Sequence, residues 1–217
     1  MPSWYPIMLK LEGRKCVVIG GGSVAQRKAE GLMQAQADVV LISPQSTPSL
    51  REWSDAGRVR WVERQVEEKD LDGAVLVFAA TDQPHINRWI AEVCAQRAIP
   101  VNIADEGEAG DFLVPAVLRQ GDLVLTASTS GAGPALASRI ILELADRYGQ
   151  EYNESIEILR AIRLIVKDEV ADISERRELL KAAVTDEALQ EWREASWLHD
   201  KDKLMTRLRQ LVNDRKG

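Results

Sequence analysis

Gly20, Gly21 and Gly22 stand between an apolar run, Cys16-Val17-Val18-Ile19, and a helix-forming run, Ser23-Val24-Ala25-Gln26-Arg27-Lys28. A strand that passes through a glycine turn straight into a helix leaves the first helical N–H groups facing the turn, where they hold the pyrophosphate of a dinucleotide. In the pattern G-x-G-x-x-A, Gly20 permits the tight turn, Gly22 lets the backbone approach the phosphates, and Ala25 packs the helix on the strand. Gly21, Ser23 and Val24 complete the candidate cofactor-binding turn. An incidental glycine turn is the competing reading, and the strand before and helix after it count against that.

The chain continues by alternation. Asp38-Val39-Val40-Leu41-Ile42 reads as a second buried strand, and Thr47-Pro48 as an N-cap with proline at the first helical position of a helix to about Ala56. A third strand is expected over Val59–Glu63. The apolar run Ala74–Ala80 suits a central parallel strand covered on both faces, a helix follows from Pro84 to Arg97, and Pro100–Ile103 gives a fifth strand. These units predict an α/β, Rossmann-type doubly wound parallel sheet over residues 1–112, with its ligand crevice at the carboxyl ends of the strands.

The pattern changes after Asp111. Phe112–Leu118 and Leu123–Thr126 flank the polar connector Arg119-Gln120-Gly121-Asp122, which reads as an antiparallel strand pair whose free edges a second copy could cover. With the helix that follows it forms a segment over 113–149. From Glu151 to Lys216 there is no Gly or Pro and apolar residues recur at helical spacing, which predicts a helical domain over 150–217.

Composition narrows the function classes. A net charge of −6 with scattered Lys and Arg argues against a general nucleic-acid binder. No window approaches the roughly 20 apolar residues of a membrane span, and a cytoplasmic location is expected. Cys16 and Cys94 form no C-x-x-C, and His85 and His199 have no partner at metal-ligand spacing, so no metal site is expected.

Site candidates gather where strands end. An NAD site usually carries Asp or Glu about 20 residues beyond the glycines; here the second strand ends in Ser43-Pro44-Gln45. Ser43 and Gln45 can hydrogen-bond the ribose, no Arg stands there to claim a 2′-phosphate, and NAD is the better match. Thr81 and Asn102 are placed on the nicotinamide side, with local backbone capping as the alternative. Ser128 and Thr129 precede a helix near Gly133, where their hydroxyls could hold substrate carboxylates or simply form a polar turn. Asp105 lies just past the fifth strand, where a carboxylate could accept a proton or merely form a turn. Asp82 and Asp111 read as local structure.

Taken together, Trp4-Tyr5-Pro6, Leu11-Glu12-Gly13-Arg14, the block Val18 to Lys28, Ala79-Ala80-Thr81-Asp82 with Asn87, Val101-Asn102-Ile103-Ala104-Asp105, Phe112-Leu113-Val114-Pro115-Ala116, and Ser128-Thr129 with Gly131, Pro134 and Ala137 resemble the precorrin-2 dehydrogenases of siroheme synthesis. The resemblance covers residues 4 to about 145, while the tail matches in length and character only. It implies NAD-dependent oxidation of precorrin-2, a tetrapyrrole, to sirohydrochlorin, with hydride passing to NAD and protons leaving the macrocycle. It also implies a homodimer built through the 113–149 segment, and it places the family's important aspartate at Asp105. The substrate's carboxylates would need local cations, for which Arg27, Lys28, Arg119 and Arg139 are candidates; solvated surface charge is the alternative for each. Ser130 and Gly133 depart from the family, which more often has Gly and Ser there. Two other readings stay open: a bifunctional enzyme with ferrochelatase activity in the same crevice, and a nucleotide-sensing module that binds NAD without chemistry.

Overall fold

The computed structural model describes residues 4–104 and 110–215. They divide into two compact units, Met1–Val114 with Ser130–Ala132, and Pro115–Thr129 with Gly133–Gly217. The first unit carries five parallel strands, β1 (Lys15–Ile19), β2 (Asp38–Ile42), β3 (Arg60–Val62), β4 (Leu76–Ala79) and β5 (Val101–Ile103), in the order β3-β2-β1-β4-β5. Helices α1 (Ser23–Gln34), α2 (Pro48–Asp55) and α3 (Pro84–Gln96) connect them, as the alternating pattern predicts.

Because the sheet is covered on both sides, alternate residues of one strand serve two cores. Val17 and Ile19 join Val77, Ile90 and Val101 on one face, whereas Cys16 and Val18 join Ala25, Ala29, Leu41 and Phe78 on the other. Every residue of β4 is buried, the signature of a central parallel strand. The chain order reverses across β1, whose neighbours are β2 and β4, and the carboxyl edge between β1 and β4 is where such a fold opens its crevice. Helix α2 begins as its sequence dictates: Thr47 Oγ1 accepts from Leu50 N at 3.3 Å and Pro48 occupies the first turn.

In the second unit, β6 (Ala116–Gln120) pairs antiparallel with β7 (Leu123–Ala127), followed by α4 (Pro134–Arg147), α5 (Glu151–Glu169), α6 (Ile173–Ala182), α7 (Asp186–Glu194) and α8 (Lys201–Asp214). The hairpin expected from the sequence is present, with two corrections. Its loop is Gly121-Asp122 alone, with Gly121 at φ +57°, the first loop position where a type II′ turn places glycine; Arg119 therefore lies within β6, opposite Val124. The segment Phe112–Pro115 is not strand. Pro115 cannot donate to a ladder, and the preceding residues are held back on β5: Asp111 N donates to Val101 O at 2.8 Å, and Val101 N donates to Asp111 Oδ2 at 2.9 Å.

Candidate functional site

The three glycines face three different surroundings. Gly20 has φ +120° and a side chain there would collide with the carbonyl of Ala80; one on Gly21 would collide with the carbonyl of Gln45. Above Gly22 nothing lies within 4 Å of where a Cβ would stand. The first two glycines are therefore demanded by the protein's own backbone, and the third leaves open room at the start of α1. Gly22 is the N-cap of α1, no side chain caps that helix, and its first turn carries no acidic residue. Its leading N–H groups and dipole are thus available to an anion. Ser23 is exposed, while Ala25 is fully buried against the sheet. This is a cradle that a dinucleotide pyrophosphate fits.

The loop after β2 is fastened to this turn. Thr47 N donates to Gly21 O at 3.0 Å, and Thr47 Oγ1 donates to Gln26 Oε1 at 2.6 Å. Ser43 is buried, with its carbonyl receiving the Trp61 indole N–H at 3.0 Å, whereas Pro44 and Gln45 are exposed beside the turn. The loop after β4 is ordered by Asn87, a buried residue of α3: Oδ1 accepts from Thr81 N at 3.3 Å and lies 2.7 Å from Thr81 Oγ1, and Nδ2 donates to Thr81 O at 3.1 Å. Both Thr81 and Asn102 thus stand at the carboxyl edge with the glycine turn. Asn102 Nδ2 donates to Phe112 O at 2.9 Å, while its Oδ1 is buried and has no hydrogen-bond partner among the described residues. Gly110 lies so close to Val101 that a Cβ would meet its carbonyl at 2.9 Å. Asp105 lies outside the described residues.

Sequence reasoning assigned no structural task to Asn87 or Gly110 and did not connect Gly21 with Gln45. The polar residue three positions into α3 was the available signal for Asn87, as an asparagine buried in a helix needs partners for both ends of its amide.

Arg119, Ser128 and Thr129 belong to the second unit. Arg119 is exposed on β6, Ser128 is exposed past β7, and Thr129 Oγ1 accepts from Gly133 N at 3.0 Å, bracing the start of α4. Ser130 adopts φ +53°, a left-handed conformation that glycine takes without steric cost. Arg139 pairs with Glu143 at 3.4 Å.

The electrostatics separate reactive groups from inert ones. Burial pushes both thiols, Cys16 and Cys94, up to about 11, so they stay protonated near neutrality. His85 and His199 are exposed. Asp111 is committed to the backbone of β5. Lys28 differs from the other cations: it is half-buried, its Nζ sits 5.6 Å from the centre of the Phe78 ring, and burial, then the neighbouring charge of Arg27, lowers its pKa.

A parallel sheet in this strand order with an open glycine turn at its switch point defines an NAD(P)-binding protein, and residues 7–116 match an NAD(P)-binding family model. The precorrin-2 dehydrogenase of Priestia megaterium is 30% identical over 183 residues, 84% of this chain and 90% of that protein. The chain belongs to the precorrin-2 dehydrogenase family. Among solved structures, the precorrin-2 dehydrogenase SirC matches with a TM-score of 0.74 and 27% identity, covering 95% of this chain and 100% of that one. The siroheme synthases of Thioalkalivibrio sulfidiphilus and Methylobacillus flagellatus are 33% and 35% identical over 187 and 172 residues, 84% and 79% of this chain. The chain spans only 38% and 37% of their respective lengths.

Proposed function

We propose that this chain is an NAD-dependent precorrin-2 dehydrogenase, oxidising precorrin-2 to sirohydrochlorin in siroheme synthesis. The observation that carries the proposal is the open space over Gly22 at an N-terminus of α1 that no side chain caps, in a chain whose two units together span the dehydrogenase SirC from end to end. Bound NAD supplies the hydride acceptor. Gly20, Gly21, Gly22, Ser23, Val24 and Ala25 hold its pyrophosphate; Ser43, Pro44 and Gln45 flank its ribose; Thr81 and Asn102 border its nicotinamide. Asp105 takes up a proton from the macrocycle as the hydride leaves, and Arg119, Ser128 and Thr129 hold substrate carboxylates.

The same reading makes 1–112 the nucleotide domain, 113–149 the dimerisation segment and 150–217 a helical domain, in a homodimer working in the cytoplasm. Val117 on β6 and Leu136 and Leu142 on α4 are 38%, 44% and 67% exposed, apolar surface of the kind that a second copy covers. Light scattering at micromolar concentration should return the mass of a dimer; a monomer refutes this part. Among the described residues no helix is long and apolar enough to cross a membrane.

Anaerobic incubation with precorrin-2 and NAD, following the absorbance of NADH and of the oxidised macrocycle, tests the activity. Growth of both signals together is expected, and cofactor binding without either leaves only the nucleotide-sensing reading. Parallel incubations of sirohydrochlorin with ferrous or cobalt ions report whether a chelatase accompanies it.

A further inference from the structure

The loop that follows β2 carries a cation with no charged partner. The local sequence puts Ser43-Pro44-Gln45 at the end of that strand with no arginine beside it, but the fold brings Arg51 back from the opening turn of α2. Arg51 Nε donates to Ser46 Oγ at 3.4 Å. Ser46 stands between Gln45, whose carbonyl fills the place of a Gly21 side chain, and Thr47, whose N–H donates to Gly21 O at 3.0 Å. On its other side the guanidinium lies 5.5 Å from the centre of the Trp61 ring, and the Trp61 indole N–H donates to Ser43 O. Arg51 is therefore held against both ends of the loop that borders the glycine turn, by a hydroxyl at one and a ring face at the other. It is exposed, and among the described residues no carboxylate pairs with it and nothing accepts from its two terminal nitrogens. No Asp or Glu occurs from Ser43 to Arg51.

We propose that Arg51 receives the 2′-phosphate of NADP, so that this chain takes NADP as well as NAD; this rests on the dinucleotide reading above. In a sheet of this order the end of the second strand faces the adenosine ribose, where an acid binds the ribose hydroxyls and repels a phosphate, and an arginine nearby accommodates one. Here the repelling acid is missing and an arginine is in place. With Nε engaged on Ser46, the Nη1 and Nη2 edge of the guanidinium is left to donate to two phosphate oxygens at once, the forked geometry in which arginine binds phosphate. The Trp61 ring holds the guanidinium before the ligand arrives, which lowers the cost of ordering it on binding. NAD presents only a hydroxyl to this place and gains nothing from the charge. Arg51 thus determines which cofactor is accepted, a task separate from the pyrophosphate cradle and from the substrate's carboxylates.

The test is calorimetric titration of NAD and of NADP into the full chain, as wild type and as Arg51→Gln, with the thermal midpoint of each protein beside it. Wild-type protein is expected to bind NADP within about threefold of NAD or more tightly, because a charge-assisted pair offsets the dehydration of the added phosphate. Arg51→Gln should weaken NADP by about tenfold or more and hold NAD within about twofold of wild type. Added salt should weaken NADP more than NAD in the wild type, a difference that the variant loses. A wild type that binds NAD and disfavours NADP by more than about tenfold overturns the proposal. So does an Arg51→Gln protein that keeps the wild-type ratio of the two affinities, since Arg51 would then be only a surface partner of Trp61. Normal NAD binding in those cases leaves the dinucleotide reading standing. Failure of the wild type to bind either cofactor removes that reading and this proposal together.

Discussion

The first unit begins α1 on a bare glycine, whereas the second unit begins its last three helices on side chains that close them. Asp172, Thr185 and Asp200 each accept a hydrogen bond from the backbone three residues on, at 2.7, 3.2 and 3.1 Å. Each bond satisfies an N–H that would otherwise be lost. At α1 the cap is Gly22 and no side chain reaches back. The cores differ in the same sense. In the first unit β4 and β5 are buried along their whole length and the strands position loops at one edge; in the second, Trp192 sits at 1% exposure among Ile162, Val166, Leu179 and Leu204, its indole N–H donating to Ala183 O at 2.9 Å. The first unit leaves the start of α1 open where a ligand can complete it, and the second closes the starts of α6, α7 and α8 with side chains. Helices α3, α4 and α5 also start without a side-chain cap, so the mark of the site is the glycine turn and the open space over Gly22 at the start of α1.

The largest expected effect falls on chemistry. Asp105→Ala should lower dehydrogenase turnover by about 10²–10⁴ if the carboxylate is a positioned base, with NAD affinity and thermal midpoint close to wild type; steady-state rates with precorrin-2 read it, and near-normal turnover in a folded variant removes Asp105 from the mechanism. In the second unit the largest change is one of stability. Trp192→Ala empties the centre of a helical core and should cost about 3–5 kcal/mol by denaturant unfolding, while calorimetry shows NAD still bound. Loss of NAD affinity in step with that stability would break the separation of site from scaffold. Thr185→Ala removes one cap and should cost about 1 kcal/mol without touching cofactor binding. A change well below that would mean the cap bond at α7 is replaced by water at no loss.

Much of the first unit was legible because its signals are local. The apolar runs at Val17 and Val77 and the Thr47-Pro48 cap each specify an element within a few residues, and the glycine turn names its own ligand class. The edges of the account failed where the determining partner is distant in sequence. Phe112–Pro115 looks like a strand by composition, but Asp111 and Phe112 are tied to β5 by hydrogen bonds to Val101 and Asn102. Gly21 is required by the carbonyl of Gln45, more than twenty positions on, which no local pattern reveals. The tail offered no Gly or Pro to divide it, and its helix starts were written instead in Asp172, Thr185 and Asp200, ordinary polar residues whose role depends on where the neighbouring helix must turn. Of the site, the pyrophosphate turn was readable from spacing alone. The tie between Thr81 and Asn87 was not, because it depends on how α3 packs beside the end of β4.

The central claim is that Gly22 is kept small for a ligand while Gly21 is kept small for the protein. Calorimetric titration of NAD into Gly22→Val and Gly21→Val, beside their thermal midpoints, tests it directly. Gly22→Val should keep a midpoint near wild type and lose measurable NAD binding, because its side chain enters the space left for the pyrophosphate. Gly21→Val should lose stability, because its Cβ meets the Gln45 carbonyl. A folded Gly22→Val protein with wild-type NAD affinity would contradict the account and move the nucleotide site away from the glycine turn.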